Sequence, residues 1–180
     1  MTHLIFKRKD RGVHVSRIAI VPNICTAANL LLGVVALANT LSHNYTMSII
    51  LIILAALMDR FDGMLARRYN AASAFGKEFD SLADMVSFGI APAALMYSSV
   101  AGNWSLAGLV CFCIFTLCGG LRLARYNVSC TPSYFQGIPI TVCGTALAII
   151  VLLIPSHIVL LVASFILALA MISTLRIPKI

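Results

Sequence analysis

Charged side chains are scarce in this chain of 180 residues, making up 11% of it, less than half of the roughly 25% usual for a soluble domain. Acidic residues number six and tryptophan occurs once, while hydrophobic residues reach 61%. A disordered chain and a soluble nucleic-acid binder are excluded by that balance. A secreted disulfide scaffold is excluded too. Of the six cysteines, Cys111, Cys113 and Cys118 lie inside one apolar run, with Cys25, Cys130 and Cys143 elsewhere. None falls in an expected outer turn, and free cysteine packs as a small buried hydrophobe. Cys111 and Cys113, two apart, point to different helix faces, so no zinc or redox site is expected. Internal repeats and low-complexity tracts are missing. No cleavable signal peptide is expected, because the charged leader is long and the apolar run after it exceeds an h-region.

What is present is apolar length. A bilayer core of roughly 30 Å takes about 20 helical residues per crossing, which gives about six crossings with about 60 residues left for loops. The expected architecture is an all-α polytopic membrane protein with six transmembrane helices. They fall at about 22–40, 46–69, 76–100, 104–125, 138–154 and 157–175, in a single membrane-embedded domain over 1–180. Pro22 suits a first helical turn. Gly89 and Pro92 should bend the third helix, and Trp104 marks the outer end of the fourth. The apolar stretch 138–172 is too long for one crossing, and Pro155, Ser156 and His157 divide it.

All thirteen Lys and Arg lie in four places: the segment 1–21, Arg60 to Lys77, Arg122 with Arg125, and Arg176 with Lys179. The turns near 42–45, 101–103 and 155–157 carry none. Positive residues favour the cytoplasmic side, so both termini are expected there and the number of crossings is even. The basic N-terminal segment would rest on anionic headgroups.

Five of the six acids fall between Asp59 and Asp84. An ionised side chain at membrane depth costs roughly 3 kcal/mol or more, so a cation must offset the cluster. Asp59 and Asp62 are i, i+3 on the second helix, and Asp80 and Asp84 are i, i+4 on the third; such pairs are surface neighbours. The short link between the helices should make them antiparallel neighbours with opposed acidic faces. Carboxylate oxygens suit Mg²⁺ or Mn²⁺, and the lack of an accompanying histidine argues against zinc. Gly63 and Ala66 would let a ligand approach the backbone, and the fork of Arg67 matches phosphate oxygens. Together these parts can hold a pyrophosphate, and two metals could stabilise the attacking and leaving oxygens of a displacement at phosphorus. Glu78 points off the Asp80/Asp84 face, and Lys77 reads as a membrane-edge charge. An ion or metal transporter is the rival from another class. It is disfavoured because the acids sit near one membrane face with no second cluster opposite.

The pattern Asp59-x-x-Asp62-Gly63-x-x-Ala66-Arg67, eight residues, Gly76, three, Asp80, three, Asp84 fills eight fixed positions across 26 residues. It resembles the CDP-alcohol phosphatidyltransferase signature, and Pro22-Asn23-x-x-Thr26 resembles that family's first-helix nucleotide contact. The segments 75–92, 121–127 and 135–139 resemble the phosphatidylserine synthase branch, which usually has a second proline where this chain has Thr141. The resemblance implies six membrane helices around a cytoplasm-facing site. It also implies metal binding by Asp59, Asp62, Asp80 and Asp84, with Asp84 as general base. Asn23, Thr26, Gly63, Arg67 and Ser73 would contact CDP-diacylglycerol, and the chain would form a homodimer. The implied reaction joins CDP-diacylglycerol and L-serine to give phosphatidylserine and CMP. The serine carboxylate needs a cation, and Arg122 and Arg125, on one face of the fourth helix, are the candidates. Synthesis of phosphatidylglycerol phosphate or an inositol lipid remains the alternative within the family.

Overall fold

The computed structural model describes residues 20–68, 73–100, 105–128, 134–154, 156–173 and 176–178, without the side chains of 20–22, 62, 66–68, 134–136 and 176–178. Most of the basic segment 1–21, Trp104 and Lys179 lie outside that set, as do the side chains of Asp62, Ala66, Arg67 and Arg176.

Helix α1 runs Ile20–Leu41 and α2 runs Tyr45–Arg68. The third rod is α3, Ala74–Asp84, a π-helical turn, Met85–Ile90, and α4, Ala91–Ser99. Helices α5, Ser105–Val128, α6, Ile140–Leu153, and α7, His157–Ile172, complete the set. The expected disturbance at Gly89 and Pro92 takes the form of the π-turn: Gly89 lies within it, and Pro92 sits in the first turn of α4. Two short strands were not expected. β1, Tyr134–Gln136, pairs antiparallel with β2, Arg176–Pro178, tying the segment before α6 to the one after α7.

By length and composition, spans 23–41, 74–99 and 105–128 can each cross a membrane. Their outward faces carry Leu31, Leu106 and Leu117, each more than 60% exposed in the isolated chain, which is the surface a hydrocarbon solvent wants. The third rod is central: 56% of its apolar window is buried, against 28% for each of the other two spans. Phe88, Ala91, Ala93, Leu95 and Met96 form the middle of the core.

Close backbone approach explains the tight seat of the π-turn. A Cβ on Gly33 of α1 would collide with Ser87, and one on Gly144 of α6 would collide with the Phe88 backbone. Small residues let membrane helices approach closely, where dispersion and interhelical hydrogen bonds replace the hydrophobic effect. The α1–α2 pair shows both. Thr40 and Ser48 hydroxyls share a hydrogen bond of 2.7 Å, and both lie within hydrogen-bond distance of the Ala36 carbonyl, to which the one not donating to its neighbour gives its proton.

Helices α2 and α3 do not pack along each other. Both lean on α1, and α2 meets the third rod chiefly through α4 and the π-turn. A cleft remains between α2 and α3.

Candidate active site

The cleft is lined by carboxylates because the helical stripes that bury apolar residues continue into it. On α2, Ser48, Ile52 and Ala55 are buried, and the same spacing of three and four arrives at Asp59. Ala83 and Asp84 on α3 and Ser87 in the π-turn are buried, Asp84 retaining 8% exposure. Oxygens of Asp59, Asp80 and Asp84 lie within 4.8 Å of one another.

That donor set fits a hard cation. Around an octahedral Mg²⁺ adjacent oxygens are about 3 Å apart and opposite ones about 4.2 Å, from its bond length, so the three side chains would close inward to engage one ion. Carboxylates this close repel when ionised, and a divalent charge among them removes the penalty. The side chain of Asp62, the fourth expected ligand, lies outside the described residues.

Two neutral side chains hold the triad from behind, and sequence reasoning missed both as site residues. The amide Nδ2 of Asn29 on α1 donates to Asp84 Oδ1 at 3.3 Å, and the Thr141 hydroxyl on α6 donates to Asp59 Oδ2 at 3.3 Å. Asn29 was legible in principle: Thr26, Asn29, Gly33, Ala36 and Thr40 recur every three or four residues and are all buried, so the Asn faces inward. Thr141 is marked in the sequence by its nearness to Pro139, which precedes the first residue of α6, and by standing where the resembled branch usually has a second proline, neither of which points to Asp59.

Of the expected CDP contacts, Ser73 and Asn23 meet at the start of α3. Ser73 caps α3, its hydroxyl accepting from Gly76 N at 2.9 Å, as N-cap serines do. Asn23 reaches the same spot: its Oδ1 would lie 3.2 Å from a Cβ on Gly76. Thr26 is buried one turn further along α1. A Cβ on Gly63 would meet nothing within 4 Å, so this face of α2 is open to a ligand. The Arg67 side chain lies outside the described residues.

The two arginines proposed for serine separate. Arg125 Nη1 donates to the Ile172 carbonyl at 3.2 Å, closing the C-terminus of α7. Arg122 is half-buried and attracted by the Asp84 charge, and its buried Nε has no hydrogen-bond partner among the described residues. Lys77 does not face the cleft's acids. Its Nζ donates to the Asn127 carbonyl at 3.3 Å and lies 5.2 Å from the centre of the Tyr126 ring. Glu78 accepts from Asn127 Nδ2 at 3.1 Å, and the same amide nitrogen donates to Ser81 Oγ. Asn127 thus fastens the end of α5 to the start of α3, a role the sequence did not announce.

A membrane bundle with an acidic cleft closed by a capped, glycine-bearing helix start defines the class. Residues 19–175 match the profile of CDP-alcohol phosphatidyltransferase, and the chain belongs to that family. Several relatives carry the name CDP-diacylglycerol–serine O-phosphatidyltransferase. One from Helicobacter pylori (strain J99) is 38% identical over 135 residues, covering 73% of this chain and 57% of that protein. One from Bacillus subtilis (strain 168) is 38% identical over 132 residues, 72% of this chain and 74% of its own. One from Methanocaldococcus jannaschii is 35% identical over 166 residues, 92% and 77% respectively. The chain thus spans little more than half the length of the Helicobacter relative.

Proposed function

We propose that residues 1–180 form one catalytic domain that makes phosphatidylserine and CMP from CDP-diacylglycerol and L-serine. The observation that carries this reading is the convergence of Asp59, Asp80 and Asp84 from two helices, in a chain whose relatives bear the serine transferase name.

In this reading the serine hydroxyl gives its proton to Asp84 and its oxygen bonds to the lipid-side phosphorus. The bond from that phosphorus to the bridging oxygen breaks, and the oxygen leaves on CMP. A serine hydroxyl is a poor nucleophile without a positioned base, and the hydrogen bond from Asn29 fixes the Asp84 carboxylate in place. Mg²⁺ or Mn²⁺, as two ions held by Asp59, Asp62, Asp80 and Asp84, would offset charge on the phosphoryl oxygens and on CMP. Asn23, Thr26, Gly63, Arg67 and Ser73 bind the CDP portion. Arg122 takes the serine carboxylate, with Arg125 committed at least partly to α7. The site and both termini face the cytoplasm of a multi-pass cell-membrane protein that works as a homodimer.

The test supplies purified protein with CDP-diacylglycerol and serine, glycerol 3-phosphate or inositol, with and without a chelator. Phosphatidylserine formation that chelation stops is expected. A different lipid product would reassign the acceptor, and no CMP release from any alcohol would remove the transferase reading.

A further inference from the structure

The carboxylate of Asp84 has near it two groups of opposite hydrogen-bonding character. Asn29 is 0% exposed. Its amide nitrogen is spent on Asp84, and its backbone carbonyl accepts from Ser87 Oγ at 2.9 Å. Its Oδ1 has no hydrogen-bond partner among the described residues. Because Nδ2 and Oδ1 belong to one amide group, Oδ1 lies close to the Asp84 carboxylate that Nδ2 meets. Arg122, close enough to feel the Asp84 charge, offers a buried donor, Nε, likewise without a partner among the described residues.

A buried acceptor left without a donor costs about 1–3 kcal/mol. Such an atom beside three carboxylates is matched best by a positively charged donor. The Arg122 guanidinium is matched by an anion. An unsatisfied acceptor and an unsatisfied donor near one candidate base are complementary to a zwitterion that carries its hydroxyl to that base. We infer that Asn29 is a specificity-determining residue, its Oδ1 accepting a hydrogen bond from the ammonium group of an α-amino-acid alcohol whose carboxylate Arg122 holds. The assignment rests on the serine transferase reading. It adds the reason an amino alcohol is chosen: acceptors without an ammonium leave Oδ1 unpaired, and polar sites discriminate strongly against ligands that leave them so.

The test separates the charged groups with competitors that cannot react. L-Alanine carries ammonium and carboxylate, and propionate carries the carboxylate alone. In the wild type alanine competes with serine more strongly than propionate does. Asn29→Leu, which keeps the branching and removes the polar atoms, raises the alanine inhibition constant roughly tenfold, the effect of about 1.4 kcal/mol, and leaves that of propionate unchanged. Arg122→Ala weakens both. Retained CDP-diacylglycerol binding reports an intact fold, and Asn29→Ser, which is smaller, should give the same split. If both variants weaken alanine and propionate equally, or neither, Asn29 does not read the ammonium and the inference falls. A wild type that makes no phosphatidylserine but does consume another alcohol overturns the parent reading instead.

Discussion

The Thr141 hydroxyl donates to Oδ2 of Asp59 at 3.3 Å, joining the first turn of α6 to the acidic end of α2. One oxygen of that carboxylate is thereby oriented while the other is left toward the cleft. Partners standing behind a metal ligand typically change metal affinity or activity by 10–100-fold when lost. Thr141→Val should therefore raise the metal concentration needed for half-maximal CMP release about tenfold. Thr141→Ser should restore most of it. Equal metal dependence in wild type and Thr141→Val would show that Asp59 is held by other means.

Asp84 carries the heaviest chemical burden in the proposed reaction. Asp84→Asn keeps the shape and removes the base, so turnover should fall by at least the roughly 10²–10⁴-fold typical of general-base loss. CDP-diacylglycerol binding should persist. Substantial residual turnover in that variant would move the base elsewhere.

The arginine pair makes a differential experiment. Arg122→Ala should raise the serine KM far more than the lipid KM. Arg125→Ala removes the hydrogen bond to the Ile172 carbonyl and should lower thermal stability by about 1–3 kcal/mol, with a smaller change in serine KM. Equal serine defects in both would mean that Arg125 also reaches the substrate.

Two glycines should respond in opposite ways. Gly144→Ala drives a methyl into the Phe88 backbone and should destabilise the fold by about 1–3 kcal/mol, as overpacking does. Gly63→Ala meets open space and should hold or gain stability, since alanine is the better helix former by about 1 kcal/mol. Its cost should appear as weaker CDP-diacylglycerol binding. Calorimetry and a lipid-binding isotherm on the two variants check both expectations.

The helical bundle was legible because apolar runs of membrane length leave few alternatives, and the punctuating residues near 42–45 and 155–157 are polar. The acids were legible because a charge at membrane depth demands a reason. The helpers behind them were not. Asn29 reads as one polar residue among several at the start of α1, and only the buried stripe shared with Thr26 and Gly33 singles it out. Thr141 depends on α6 and α2 meeting, a contact between segments 82 residues apart. The opposed acidic faces of α2 and α3 were legible from the short link and the spacing of the acids, but the role of α1 as the common support has no local signal. The strand pair joins segments either side of α6 and α7, and three-residue strands leave no period to detect.

The π-turn at Met85–Ile90 begins one residue after Asp84, where the Ala91 N–H reaches back to the Val86 carbonyl. Such a turn accommodates one residue more than an α-helical turn would. Excising a single residue there would leave hydropathy and length almost untouched. Yet it would close the turn into an ordinary α-helical one and pull Ser87 and Phe88 out of the seats that Gly33 and Gly144 leave for them. Spacing, more than residue identity, is what this stretch must conserve.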